Sequence, residues 1–108
     1  MATTYKVLGQ SNPAATTATT LYTVPASTSA VCSTLSVANI GVSTTFRVAI
    51  RPAAATLANQ HYIVYDSVIN AGTAVFLTIG VTLATTDVVT VYAGTANLAF
   101  GLFGSEVT

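Results

Sequence analysis

Apolar and polar residues alternate along most of the chain with a period of two. In "TTFRVAIR" this places Phe46, Val48 and Ile50 on one face and Thr45, Arg47, Ala49 and Arg51 on the other. "SAVCSTLSV" groups Val31, Ser33, Leu35 and Val37, and "TAVFLTI" groups Val75, Leu77 and Ile79. Such runs, rich in Val, Ile, Thr, Tyr and Phe and bounded by Gly, Pro, Asn and Ser, begin at Tyr5, Thr20, Ser29, Thr44, His61, Thr73, Asp87 and Asn97. The pattern predicts about eight short strands. Helix signals are nearly absent; "PAAATLANQ" after Arg51 predicts one turn or a loop. "AGTAN", Ala93 to Asn97, is predicted to be a hairpin turn that lets Val89 and Val91 face Leu98, Phe100 and Leu102.

Many short strands without helices imply an all-β, single-domain antiparallel β-sandwich, jelly-roll or immunoglobulin-like, spanning 1–108. "SNPAATTATT" interrupts the pattern and predicts an extended arm or loop at 10–20 with little to bury.

Charge changes the picture. Only 6% of the 108 residues are charged, 52% are hydrophobic and the formal net charge is zero. A typical domain is about a quarter charged. Threonine, β-branched and suited to a pleated outer face, stands where lysine and glutamate usually do. With so little repulsion between copies, the composition predicts an oligomer or a subunit packed into something larger. No apolar run is long enough for a spanning helix, and eight membrane strands of about ten residues with their turns would more than fill the chain. "MATTYKVLG" carries no apolar signal core, so export is not expected. The single cysteine, Cys32, excludes an internal disulfide and reads as a small buried hydrophobe.

The inventory of reactive groups is short. His61 is the only histidine, and Asp66, Asp87 and Glu106 are the only acids. Cys32 has no glycine-rich elbow, the acids are scattered, and alternation sends His61 and Asp66 to opposite faces. No catalytic residue, metal site or cofactor is expected. Lys6, Arg47 and Arg51 are the whole basic supply, too little for nucleic acid. Arg47 and Arg51 share an outward face, as solvated charges or as contacts for acidic groups on a partner, a task the planar guanidinium suits. Tyr62, Tyr65 and Tyr92 raise the idea of a sugar platform, but alternation sends Tyr62 and Tyr65 to opposite sides of their strand. Tyrosines that cap the sandwich are the simpler expectation.

The segments "YKVLGQSNPAATTATTLYTVPA", "TTFRVAIRPA", "ANQHYIVYD" and "ATTDVVTVYAGTANLAFGLFGSEVT" together resemble a small virion-protein module of tailed bacteriophages, cyanophage-like ones above all. The resemblance covers essentially the whole chain and is most specific at "LYTVPA" and "LFGSE". It carries no catalytic signature. It implies a non-enzymatic structural protein of the virion, made in the host cytoplasm. Standing alone, such a module fits a capsid decoration (cement) protein on the phage head surface, bound to the major capsid protein as a homo-oligomer, with a trimer expected. A tail, baseplate or fibre subunit touching host-surface glycans is the alternative. The interface residues expected on this reading are Ser11, Asn12, Pro13, Arg47 and Arg51.

Overall fold

A computed structural model describes residues 2–108. Eight strands follow in order: β1 (Thr3–Ser11), β2 (Thr19–Thr23), β3 (Ser29–Asn39), β4 (Thr44–Arg51), β5 (Tyr62–Ile69), β6 (Ala74–Leu83), β7 (Val88–Ala93) and β8 (Leu98–Val107). They form two four-stranded sheets, ordered β1-β8-β3-β6 and β2-β7-β4-β5. All pairings are antiparallel.

The order has a simple logic. First pairs with last, second with seventh, third with sixth and fourth with fifth. The chain is thus one long antiparallel ribbon rolled into a sandwich, which is the jelly-roll arrangement; the immunoglobulin-like alternative does not have this order. Only β4 and β5 are consecutive strands within one sheet. Every other connection crosses between sheets, so "AGTAN" does not close a hairpin. It carries the chain from β7 in one sheet to β8 in the other. Val89 and Val91 still face Leu98, Phe100 and Leu102, but across the core.

Leu35, Val37, Leu98 and Leu102 from one sheet meet Val48, Val89 and Val91 from the other, all fully buried. Phe46 and Phe100 contact edge to face across the layers, with ring centroids 6.2 Å apart.

Alternation fails where the strands bulge. In the first sheet, Leu8 in β1, Ser33 in β3 and the Ile79–Gly80 pair in β6 are extra residues at nearly one level. The extra residue at Ser33 reverses the phase of β3. Ala30 and Cys32 point inward before it, and Leu35 and Val37 after it. Val31 and Ser33 are therefore exposed instead of sharing the face of Leu35, as strict alternation predicted. Gly80 takes a positive φ of 56° at its bulge, a conformation glycine adopts without strain. Gly104 stands opposite Cys32 at the same level, and a Cβ there would run into the Val31 carbonyl oxygen.

Residues 12–18 form the β1–β2 crossover, a loop and not a free arm. Asn12 Nδ2 donates to the Ala96 and Leu98 carbonyls at 3.0 and 2.7 Å, and Pro13 is buried. The β4–β5 connection contains two short 3-10 turns, Pro52–Ala54 and Asn59–His61, lying against β7 and β4.

Candidate functional site

The two outer faces of the sandwich differ in character. Cross-strand partners share a face, so the register fixes what each face displays. On the β1-β8-β3-β6 sheet one outward row holds Tyr5, Ser105, Val31 and Thr82. The next holds Val7, Phe103, Thr34 and Thr78, and a third Gln10, Gly101, Ser36 and Phe76. None of these residues is charged. Tyr5 is 84% exposed and Phe76 70%, with Val7 and Val31 also open. Charge is absent because the only ionisable carboxyl and amine of this sheet, Glu106 and Lys6, fall on the inward-facing phase at one end of the sandwich.

There Lys6 Nζ donates to Glu106 Oε1 at 3.1 Å. Tyr22, from β2 of the other sheet, donates its hydroxyl to Glu106 Oε2 at 2.5 Å. The Tyr22 hydrogen bond, with Lys6 behind it, holds the Glu106 carboxyl below the usual carboxylate range. Burial and the same carboxylate push the Tyr22 phenol well above its ordinary value.

On the opposite face, of sheet β2-β7-β4-β5, Arg47 stands beside Tyr92 in register. Its guanidinium carbon lies 4.2 Å from the Tyr65 ring centroid and 4.3 Å from that of Tyr92. The fork closes on Asp66, with Nε to Oδ1 at 2.6 Å and Nη2 to Oδ2 at 3.3 Å. This hydrogen bonding raises the guanidinium pKa and lowers that of the carboxyl. Tyr62 and Tyr65 contact edge to face at 4.9 Å. They lie together, contrary to simple alternation, because Ile63 is an extra residue between them; a second bulge follows at Tyr65 and Asp66, with Asp66 at a positive φ of 50°. Nothing in the spacing of "HYIVYDS" announces two bulges. The one local signal is an aspartate, a residue type that tolerates the left-handed region.

The remaining groups are committed within the chain. Arg51 donates Nε to Thr90 Oγ1 at 3.0 Å and Nη1 to the Ala55 carbonyl at 3.1 Å, fastening the β4–β5 connection. Asp87 accepts from the Ala53 and Ala84 amides, both at 2.8 Å. Each of the three basic and three acidic side chains is therefore bonded to its own chain, and the carboxylate that Arg47 grips is Asp66. His61 is buried at the entry to β5, with Nδ1 accepting from the Ala58 amide at 3.0 Å. Cys32 is fully buried, and burial pushes its thiol pKa up to about 11. Among the described residues, no three His, Cys, Asp or Glu side chains gather in a metal-binding group.

The sandwich is open along its β5–β6 side. A groove of about 360 Å³ there is lined by Ile63, Val64, Phe76, Leu77, Thr78, Ile79 and Val81. No protein-family model matches the chain, and neither the curated proteins nor the solved structures yield a similar protein.

Proposed function

We propose that the chain is a structural protein of a tailed-phage virion, a capsid decoration (cement) protein that binds the major capsid lattice and stabilises the head. The observation that carries this reading is the uncharged outer face of the β1-β8-β3-β6 sheet. Four strands about 4.8 Å apart, each about ten residues long, present roughly 600 Å² in projection. A standard protein interface buries about 800 Å² per partner, so this face with part of its rim is enough for stable docking. Its rows of Thr, Ser, Val, Tyr and Phe cost less to bury than charged rows would, once the hydroxyls find partners across the interface. Docking only on the assembled shell would stabilise it by mass action.

The free edge of β6 supports the same role. β6 is a ten-residue edge strand with no charge and no proline, blunted only by its bulge at Gly80. Edges of this kind pair with other chains unless covered. A second copy is its partner on this reading, and a trimer at the threefold points of a capsid lattice is the expected assembly. The test is occupancy: Phe76→Glu places a charge on the β6 side of the docking face, where the residue is 70% exposed, so virions assembled with it should carry few copies. Full occupancy would overturn the assignment of this face.

A further inference from the structure

The face turned away from the docking surface carries a second feature that the structural role does not use. We propose that Tyr65, Asp66, Arg47 and the flanking Tyr62 and Tyr92 form a binding site for a sugar ring, of the kind found in bacterial surface polysaccharides.

Asp66 occupies the left-handed region within a bulge, and bulges re-aim side chains. An extra residue at Ile63 brings Tyr65 onto the face of Tyr62, and the bulge at Asp66 places that carboxylate in the Arg47 fork. Arg47 is then fixed between two tyrosine rings and one carboxylate. A polar group held this firmly is pre-organised, so it binds a ligand without first losing its own freedom.

The chemistry exposed around it is specific in kind. Tyr65 remains 58% exposed, and the Asp66 side chain 43%. Each Asp66 oxygen accepts one hydrogen bond from Arg47, leaving further lone pairs. Arg47 Nη1 donates to no group among the described residues. A single small area thus offers an apolar aromatic surface, a carboxylate acceptor and a guanidinium donor, with no net charge. A pyranose matches that set. Its C–H face packs on an aromatic ring, and its rim of hydroxyls both donates and accepts. A free anion or cation would meet a group already neutralised by its neighbour.

The site lies on the opposite side of the sandwich from Tyr5 and Phe76, so a copy docked by the uncharged sheet displays it to solvent. The choice of bacterial surface sugars rests on the virion reading, but the isolated chain is sufficient to test the site, so the two fail separately. The chain is applied to a printed array of bacterial surface polysaccharides, and hits are titrated as their methyl glycosides by NMR. Binding is expected, weakened at least about tenfold by Tyr65→Ala. Asp66→Asn keeps a residue tolerant of the left-handed conformation and removes the charge; it should weaken binding with unchanged folding by circular dichroism. Tyr5→Ala on the far face should leave binding intact. An array without hits, or binding indifferent to Tyr65→Ala and Asp66→Asn, overturns the proposal. So does binding abolished by Tyr5→Ala.

Discussion

The rings of Tyr62 and Tyr65 meet edge to face at 4.9 Å, although three positions apart on a regular strand they would point to opposite sides. The extra residue Ile63 puts both rings on one face, and a second bulge, at Tyr65 and Asp66, sets the carboxylate beside them. Asp66→Gly preserves the left-handed backbone and loses the carboxylate; Asp66→Ala loses both. Thermal unfolding should therefore rank the proteins wild type, Asp66→Gly, Asp66→Ala in falling Tm. Equal Tm values for glycine and alanine would show that the backbone conformation is not held.

Tyr22 and Glu106 tie the two sheets together at one end, and their shifted pKa values make stability depend on pH at both limits. Glu106 gives up its proton more readily folded than unfolded. Its contribution is full above the ordinary value of 4.5 and is lost as pH falls from there through the lower folded value. Tyr22 behaves oppositely. Its folded pKa is raised, so its contribution is full below the ordinary value of 10.0 and is lost as pH rises above it. Tm measured from about pH 3 to about pH 11 should fall at both ends. Tyr22→Phe should flatten both limbs, and Glu106→Gln the acid limb most.

Cys32 is fully buried with a thiol that ionises only near pH 11. At neutral pH it should resist Ellman's reagent until denaturant opens the sandwich, because both access and thiolate are lacking. Rapid labelling of the native protein would contradict the placement of β3.

Gly104 faces the Val31 carbonyl and lies where a Cβ would sit 3.0 Å from the Cys32 Cα. Both neighbours are backbone and cannot swing aside. Gly104→Ala should cost about 1–3 kcal/mol in urea unfolding, the usual range of overpacked core substitutions. An unchanged midpoint would mean that β3 and β8 are spaced more widely.

The architecture was legible in the sequence to different depths. Strand positions were readable because Val, Ile, Thr and aromatic runs are separated by turn residues, and "TTFRVAIR" placed Phe46 and Val48 inward correctly. Ala49 also faces outward as expected, yet it is buried beside Thr90 and Tyr62. Burial by a covering segment leaves no mark in periodicity. Pairing was not readable, since "AGTAN" has a hairpin's composition but its flanking strands belong to different sheets. Bulges were least readable of all. A single extra residue at Ser33 exchanged Val31 for Cys32 in the core, and another at Ile63 put Tyr62 and Tyr65 on one face. Arg47 and Arg51 were correctly placed facing outward, but Asp66 and Ala55, their partners inside the chain, come from a bulge and a loop. Ser11, Asn12 and Pro13 lie in or beside a loop fastened to the β7–β8 turn.

The edge of β6 gives a prediction about assembly. Thr78→Lys puts a charge on the exposed face of that strand, the usual protection of a free edge. Light scattering should find the wild type as an oligomer of the 11.0 kDa chain, with three copies expected, and the variant shifted toward the monomer. A monomeric wild type would remove the edge-pairing argument.

The central claim, that this protein coats a phage head, is tested most directly by immunogold labelling of intact virions. The antibody should be raised against the Tyr65 face, which docking leaves open. Gold spread evenly over the head is the predicted result. Gold confined to the tail or its tip, or intact particles without label, would contradict it.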